Sequence, residues 1–169
     1  MFAATVATGR SMFNILILCT GNSARSILAE AIFNRDGGEW VQAWSAGSNP
    51  TGLVHPAALR LLAAKGMETR GYRSKSWDEF AAPGAPHMDL VVTVCAAAAG
   101  EICPVWPGVP LTCHWGVDDP ASAPPDQIGA AFQIAYHSLS ARINAFLALP
   151  FETLDGISLQ ARLHRIGQG

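Results

Sequence analysis

The chain has 169 residues, 50% of them hydrophobic and 14% charged, with a formal net charge of −2. These values fit a globular domain with a substantial core and exclude a disordered chain. The charge gives no electrostatic reason to expect binding to nucleic acid or to an anionic membrane, and no apolar run reaches transmembrane length.

The first segment, residues 1–12, contains a single basic residue, Arg10, and no apolar stretch typical of a secretory signal. We expect it to be a disordered leader, or to reflect a start codon placed upstream of Met12. Residues 13–169 are then a single α/β catalytic domain. Without an export signal, the four cysteines are expected in the reducing cytoplasm, which favours catalytic or metal-binding roles over structural disulfides.

Strand and helix patterns alternate along the chain, which predicts a parallel sheet with helices on both faces. The last helix is expected to be an amphipathic extension of the domain. The predicted elements, in chain order, are a strand at 13–18, a helix at 26–34, a strand at 40–45, a helix at 56–65, a short amphipathic piece at 77–81, strands at 88–94 and 111–117, a long helix between Pro125 and Pro150, and a helix at 154–166.

The most informative string joins the first strand to the first helix and runs Cys19-Thr-Gly-Asn-Ser-Ala-Arg25. A loop of small and polar residues can curl round a tetrahedral oxyanion, which its backbone N–H groups, the helix N-terminus and Arg25 would bind. The same donors are expected to lower the pKa of Cys19, so that a nucleophilic thiolate forms at neutral pH. The predicted oxyanion-binding residues are Thr20, Gly21, Asn22, Ser23, Ala24, Arg25 and Ser26.

Individual residue types support this interpretation of the loop. Gly21 permits close backbone approach, and Asn22 can bond locally to hold the loop open. Ser26 can cap the helix and also donate to the thiolate. A buried structural cysteine before a turn is the alternative interpretation, but the complete string favours an anion-binding nucleophile.

Two later segments also follow predicted strands. Cys95 ends the most apolar strand, and Trp115–Pro120 follows the next one. Because the carboxyl ends of parallel strands share one edge, both segments can meet Cys19 there. Asp119 is the predicted proton donor to a leaving oxygen, since Pro120 restricts its backbone. Considered alone, the Asp-Pro pair would indicate only a turn.

Cys95 and Cys103 flank a short segment that is predicted to unwind before the two sulfurs meet. Two thiols near a nucleophilic third suggest a disulfide relay. A pair of buried packing cysteines is one alternative, and a zinc site that adds Cys113 and His114 is another. The gap between Cys95 and Cys103 does not match the close pairs of zinc ribbons, so we predict no metal site. Cys113 is expected to pack within its strand.

These motifs together resemble the arsenate reductases built on the low-molecular-weight protein tyrosine phosphatase fold. The resemblance spans residues 13–149 and implies a three-layer αβα architecture with a central four-stranded parallel sheet. The matching strings are Cys19-Thr-Gly-Asn-Ser-Ala-Arg-Ser26, Ala29-Glu-Ala31, Trp44-Ser-Ala-Gly47, Val92-Thr-Val-Cys95, Cys103-Pro104 and His114-Trp-Gly-Val-Asp-Asp-Pro120.

The resemblance also implies a mechanism with no bound cofactor. By this analogy the Cys19 thiolate attacks arsenate, which phosphate or sulfate would mimic, while Arg25 binds the anion and Asp119 protonates the departing oxygen. Cys95 then attacks Cys19 and arsenite leaves. Cys103 attacks Cys95, which moves the disulfide to a surface loop. Thioredoxin would restore the thiols, with glutaredoxin as an alternative partner.

The sequence departs from this family near the loop. Some relatives bind potassium there, and Glu30 and Ser45 match positions used for it. Ser76, beside Lys75, stands where those relatives have an aspartate. We therefore predict no bound potassium, with Lys75 supplying the positive charge.

Other activities stay open at this level. A tyrosine phosphatase of the same fold usually has aromatic residues after the Asp-Pro pair, and here Ala121-Ser122-Ala123 follows. A reductase coupled to glutathione or mycothiol would use the same nucleophile with another reductant. A sensor that holds arsenite or zinc with three thiols is disfavoured by the cysteine spacing.

Overall fold

A single parallel sheet organises the chain in this computed structural model, which describes residues 11–101, 106 and 108–169. Its order is β2-β1-β3-β4, with every neighbouring pair parallel. The predicted four-stranded parallel sheet is therefore confirmed. Residues 1–10 of the expected leader lie outside the described part. The strands are β1 (Phe13–Leu18), β2 (Val41–Ala46), β3 (Leu90–Thr93) and β4 (Leu111–His114).

Helices connect these strands and follow the last of them. Two 3-10 turns, Gly38–Trp40 and Pro120–Ser122, complete the elements of the described residues. None of the helices in that part of the chain is both long enough and apolar enough to span a membrane. The helices are α1 (Arg25–Gly37), α2 (Pro56–Ala64), α3 (Asp78–Ala81), α4 (Ala96–Gly100), α5 (Ile128–Leu147) and α6 (Gly156–Gln168).

The sheet is covered on both faces, because side chains of a strand alternate between them. In β1, Ile15 and Ile17 are fully buried in the larger core, to which α1, α2, α5 and α6 contribute. Leu16 and Leu18 point the other way into a smaller cluster that contains Phe80 of α3. The three-layer αβα prediction is therefore confirmed.

The last two strands are shorter than the sequence predicted. Regular strand geometry in β3 and β4 ends at Thr93 and His114. Pairing nevertheless continues beyond it, since the Trp115 N–H donates to the Thr93 carbonyl at 2.8 Å and the Val117 N–H donates to the Val94 carbonyl at 3.0 Å. This extra pairing carries the chain toward the same sheet edge as the Cys19 loop.

The C-terminal helix α6 packs against the edge strand β4. The Gln160 side chain donates to the Thr112 carbonyl at 2.8 Å, and the Trp115 indole donates to the Leu163 carbonyl at 3.1 Å. An edge strand leaves backbone groups unpaired, so this helix satisfies part of the edge and shields it. The amphipathic prediction for α6 agrees with its buried Leu159 and Leu163.

Candidate active site

The candidate site lies at the carboxyl edge of the sheet, where β1 lies between β2 and β3. The chain runs from β1 to β2 on one side of it, and from β2 it crosses to β3 on the other side of β1. This change of direction makes the edge a topological switch point. Cys19 follows β1, Cys95 follows β3, and Asp119 follows β4. The structure brings Arg25 into contact with the Asp119 loop and Cys19 into contact with Cys95.

Asn22 holds the loop in shape from inside the protein. It is fully buried and has a φ of 45°, a left-handed conformation that asparagine tolerates better than most residues. Its Nδ2 group donates to Ser26 Oγ and to Ser45 Oγ, both at 2.9 Å. Its Oδ1 atom accepts the Lys75 backbone N–H at 3.0 Å. The sequence predicted only local bonds for Asn22, so its partners on β2 and beyond it were missed.

Backbone N–H groups of the 49–55 segment hydrogen-bond to the loop carbonyls from outside the loop. The Thr20 carbonyl accepts the Asn49 N–H at 3.0 Å, and the Ser23 carbonyl accepts the His55 N–H at 2.8 Å. The Gly21 carbonyl accepts the Thr51 N–H at 3.1 Å. In a planar trans peptide the following N–H points opposite to the carbonyl. Outward carbonyls therefore turn the next amides toward the loop centre, as an anion-binding nest requires.

Gly47 permits the close packing behind this loop. A side chain there would collide with the Cys19 and Thr20 carbonyl oxygens. Gly47 also accepts the Trp77 N–H at 2.9 Å and donates to the Lys75 carbonyl at 3.0 Å. The sequence indicated Gly47 only as part of the shared string Trp44-Ser-Ala-Gly47, because the approach of another segment cannot be seen from one chain position.

Arg25 begins α1, and its guanidinium links the loop to the segment after β4. It donates to the Val117 carbonyl at 2.9 Å and lies 3.9 Å from Asp119 Oδ1. The Asp119 side chain is 44% exposed, so this ion pair adds little to stability and acts mainly to position the guanidinium. An arginine has five donors, so others stay available for an oxyanion.

Asp119 is oriented by its own turn. Its Oδ1 atom accepts the Ala121 N–H at 3.0 Å, which caps the 3-10 turn that Pro120 begins. The sequence predicts that Pro120 restricts the backbone of Asp119, and the capping bond also constrains its side chain. The carboxyl group consequently lies beside Arg25 rather than turning freely in solvent.

Ser26 differs from its expected role. The residue before α1 is Ala24, and no side chain of the described residues caps the helix there. Ser26 lies inside the first turn, is fully buried and accepts the Asn22 amide. The prediction that Ser26 caps α1 is therefore wrong, because the helix begins one residue earlier than the sequence indicated.

Cys19 and Cys95 form a buried pair in which each thiol shifts the pKa of the other. The bond to Cys95 and burial raise the pKa of Cys19, against the charge of Arg25 and the Gly21 backbone, which lower it. The bond from Cys19 lowers the pKa of Cys95 to about 5. Two sulfurs that share a proton titrate as a unit, so the lowered pKa is that of the pair and the raised one is that of its second ionisation.

This coupling changes the expectation for Cys19. The sequence predicted a lowered pKa for that thiol by itself, from the loop amides and Arg25. In the structure the bond to Cys95 and burial raise the pKa of Cys19, so the lowered pKa belongs to the coupled pair rather than to Cys19 alone. The sequence brought Cys95 to the same sheet edge but could not show that the two sulfurs touch.

Thr20 bonds to the second thiol. Its N–H donates to Cys95 Sγ at 3.4 Å, and its hydroxyl lies 3.7 Å from the same sulfur. The hydroxyl also donates to Glu101 Oε1 at 3.1 Å. The sequence assigned Thr20 to the oxyanion-binding loop, whereas here its amide is engaged by Cys95. Glu101 was not recognised from the sequence at all, since nothing near it in the chain indicates a contact with Thr20.

A buried positive charge lies behind the loop. Lys75 is 7% exposed, and its Nζ donates to the Arg73 carbonyl at 3.3 Å. Burial lowers the pKa of Lys75 while Glu30 raises it, and burial raises the pKa of Glu30 while Lys75 and Ser45 lower it. Ser45 donates to Glu30 Oε2 at 2.7 Å. Lys75 thus acts as a counter-charge for Glu30, at the position where the sequence predicted one.

Of the two remaining cysteines, only Cys113 lies within the described residues. Cys103 lies outside the described residues, as do its immediate neighbours. Cys113 lies half-buried in β4, and burial raises its pKa to about 12. No cluster of three or more His, Cys, Asp or Glu side chains suited to a metal ion occurs among the residues the structure describes.

Comparison with known proteins identifies the family to which this chain is similar. The family model of the low molecular weight phosphotyrosine protein phosphatases matches residues 14–155. An arsenate reductase of Halalkalibacterium halodurans is 35% identical over 134 residues, which is 78% of this chain and 93% of that protein. An arsenate reductase of Bacillus subtilis is 38% identical over 109 residues, 64% of this chain and 75% of that one.

Solved structures share the fold. An arsenate reductase in a phosphate-binding state superposes with a TM-score of 0.66 at 23% identity, covering 81% of this chain and 98% of that one. A thioredoxin-dependent arsenate reductase from Corynebacterium glutamicum has a TM-score of 0.59 at 23% identity, covering 80% of this chain and 60% of that one.

The family match covers β1, the Cys19 loop, Cys95 and the Asp119 turn, and ends where α6 begins. The chain belongs to the low molecular weight phosphotyrosine protein phosphatase family.

Proposed function

We propose that this chain reduces arsenate to arsenite through a relay of Cys19, Cys95 and Cys103 that thioredoxin regenerates. The observation that carries the proposal is that Cys95 lies beside the anion loop, where its sulfur accepts the Thr20 N–H at 3.4 Å and interacts with the Cys19 thiol. Phosphate ester hydrolysis needs one thiol, whereas reduction needs a second thiol within reach of the first. The arsenate reductases at 35% identity support the same conclusion.

The first step is attack by Cys19 on arsenic. The inward amides of the loop and the Arg25 guanidinium bind the arsenate oxygens and stabilise the charge that develops on them. A sulfur–arsenic bond forms and one arsenic–oxygen bond breaks. Asp119 supplies the proton with which the departing hydroxyl leaves as water. Its position beside Arg25 puts donor and clamp at the same end of the loop.

The second step is attack by Cys95 on the Cys19 sulfur. A disulfide forms, the sulfur–arsenic bond breaks, and its electron pair stays on arsenic. Arsenic(V) is thereby reduced to arsenic(III) and leaves as arsenite. Phosphorus(V) does not accept that electron pair readily, so a phosphocysteine formed in the same loop can only be hydrolysed. The backbone bonds from Thr20 and Ala98 to the Cys95 sulfur do not depend on the Cys19 proton, so they still favour the attacking thiolate after Cys19 is bonded to arsenic.

The third step passes the oxidation outward. Cys103 attacks Cys95, a Cys95–Cys103 disulfide forms, and the Cys19 thiolate is released for another cycle. A dithiol protein such as thioredoxin then supplies two electrons and leaves both thiols reduced. The assignment of Cys103 rests on the sequence resemblance. The thioredoxin dependence of the Corynebacterium glutamicum protein is the reason to test thioredoxin first.

A residual phosphatase activity accompanies this proposal. Cys19, Arg25 and Asp119 together provide a nucleophile, an anion clamp and a proton donor, which suffice for hydrolysis of a phosphate monoester. Ala121 and Ser122 follow Pro120 in the turn and offer no ring for stacking on a phenyl group. We infer a weak activity toward aryl phosphates that does not require Cys95.

The experiment is an NADPH-coupled arsenate assay run with thioredoxin and its reductase and, separately, with glutathione and glutaredoxin. We expect turnover with thioredoxin, loss of that turnover in Cys103→Ser, and normal turnover in Cys113→Ser. Cys113→Ser is the matched control, because it removes a thiol of the same chain that has no part in the relay. Unchanged turnover in Cys103→Ser would overturn the three-cysteine relay. Turnover only with the glutathione system would overturn the thioredoxin assignment.

A further inference from the structure

Arg142 of α5 reaches the segment that carries Asp119. Its side chain is half-buried, and its Nη1 atom donates to the Gly116 carbonyl at 2.7 Å. Among the residues that the structure describes, no carboxylate forms an ion pair with this guanidinium. A half-buried arginine is therefore bonded to the backbone shortly before the proposed proton donor.

The bond fixes one particular peptide group. The Gly116 carbonyl and the Val117 N–H belong to the same planar peptide and point in opposite directions. That N–H donates to the carbonyl of Val94, directly after β3, at 3.0 Å. The peptide is thus bonded on both sides, to the sheet through its N–H and to α5 through its carbonyl. The next peptide is bonded through the Val117 carbonyl to Arg25 at 2.9 Å.

The chain is otherwise weakly constrained at this point. A side chain at Gly116 would meet the His114 ring, which a glycine avoids, but glycine also leaves the backbone free to rotate. A cavity of about 400 Å³ lies between the 116–120 segment and α5, so packing alone does not fix the segment from that side. Arg142 lines this cavity and joins its two walls through the bond to Gly116.

We propose that Arg142 is a positioning residue that aims Asp119 at the leaving oxygen by fixing the peptide between Gly116 and Val117. Arg25 has a second task, since its other donors bind the anion, whereas Arg142 lies on α5, outside the anion loop. Loss of the Arg142 bond should therefore reduce proton donation and leave anion binding by the loop intact. This division of tasks rests on the proposed function, in which Asp119 is the proton donor.

The test compares two aryl phosphates that differ in their leaving group. Phenolate is more basic than p-nitrophenolate, so hydrolysis of phenyl phosphate depends more strongly on a proton donor. We measure kcat/KM of the full, reduced chain. In Arg142→Met we expect it to fall about tenfold for phenyl phosphate and about twofold for p-nitrophenyl phosphate, because one charge-assisted bond is lost. Arg162→Met removes an exposed arginine of α6 and should change neither value.

A double-mutant cycle separates positioning from a general loss of stability. Asp119→Asn has no acidic proton to donate, so adding Arg142→Met to it should leave kcat/KM unchanged for both substrates. Three results would each overturn the proposal. They are no fall in Arg142→Met, an equal fall for the two substrates, and a further fall in the Asp119→Asn background.

A second measurement, amide hydrogen exchange, needs no substrate. In Arg142→Met the Val117 N–H should exchange about tenfold faster, because its peptide is no longer bonded on both sides. The Trp115 N–H, which donates to the Thr93 carbonyl, should keep its rate. An unchanged Val117 rate would overturn the proposal. If the wild-type chain hydrolyses neither aryl phosphate, the proposed function fails, and the Val117 rate alone then decides for or against Arg142.

Discussion

Two neighbouring segments at the carboxyl edge of the sheet are held in different ways. The loop from Cys19 to Arg25 is fixed from behind, because its carbonyls accept bonds from the 49–55 segment and Asn22 is bonded to three other residues. The segment after Cys95 is a five-residue helix of which only Ala98 is buried. Burial of one methyl group contributes about 0.8 kcal/mol, far less than the network behind the loop.

The difference in rigidity between the two segments suits two different tasks. Binding a tetrahedral anion needs donors held in fixed positions, since small displacements of such donors cost rate and affinity. Passing a disulfide outward needs a segment that can change conformation at low cost. Thr20 belongs to the rigid loop and contacts both Cys95 and Glu101 of the weaker segment. It is therefore the point at which the two segments are coupled.

The largest expected effect comes from disturbing the rigid loop at Gly47. In Gly47→Ala the new methyl group collides with the Cys19 and Thr20 carbonyls, so the loop must shift. We expect arsenate turnover and aryl phosphate hydrolysis to fall together by about 100-fold, the cost of a displacement near 1 Å. Gly129→Ala on α5 is the matched control, because a methyl group there has open space around it. Equal activities in the two variants would show that the loop is less rigid than described.

Asn22→Ala should be nearly as damaging. It leaves the Lys75 N–H without its acceptor and removes two donors from the interior, a loss of about 3 kcal/mol of unfolding free energy together with activity. Asn34→Ala is the control, since Asn34 exchanges two bonds with Ala43 away from the site. We expect denaturant melts to show destabilisation in both variants and assays to show lost activity only in Asn22→Ala. Retained activity in Asn22→Ala would contradict the role given to that network.

Removing the buried charge should have a smaller, pH-dependent effect. Because burial raises the folded-state pKa of Glu30, its contribution to stability is greatest below the unfolded pKa and is lost as pH rises through the folded one. Lys75→Met removes a positive charge that lowers the pKa of Glu30, so we expect that pKa to rise further. We expect a deficit of about 2 kcal/mol near pH 7 that shrinks as the pH falls and Glu30 is protonated. Melting curves over pH measure it.

The other lysine of the chain supplies the control for that experiment. Lys65 lies over the Tyr136 ring, and Lys65→Met should show no deficit that depends on the ionisation of Glu30. Potassium should leave the melting temperature and activity of the wild-type protein unchanged relative to sodium, because the Lys75 ammonium already supplies the charge. A clear rise of the melting temperature or activity with potassium would contradict the prediction that Lys75 replaces the cation.

The smallest expected effect concerns the bond between the end of β4 and helix α6. Trp115→Phe keeps the ring packing but loses the indole donor to the Leu163 carbonyl of α6. We expect a loss of about 1 kcal/mol in unfolding free energy with arsenate turnover unchanged. A fall in turnover larger than the fall in stability would show that α6 also positions the Asp119 turn.

The sequence predicted most of the fold and the residue types at the site. Apolar strands, helix periodicity and the Cys19 string are local signals, so β1, α1 and the loop between them could be read directly. The bounds of β3 and β4 were overestimated, because apolar residues continue after regular strand geometry ends.

Contacts between distant positions were beyond a single sequence. The bond from Lys75 to Asn22 joins residues 53 positions apart, and that from Thr20 to Glu101 joins residues 81 apart. The pKa expectation for Cys19 differed for the same reason, since the contact with Cys95 decides how the pair titrates. Residue types predicted what chemistry the site can do, and only the fold showed which groups touch.

The most direct test of the central claim is a single turnover of reduced protein with excess arsenate and no external reductant. Wild-type protein should release one arsenite per chain and retain a disulfide that mass spectrometry can locate. Cys95→Ser should release none while still hydrolysing an aryl phosphate, because Cys19, Arg25 and Asp119 are intact. Arsenite released by Cys95→Ser at the wild-type rate would contradict the account, since the second thiol would then have no part in the reduction.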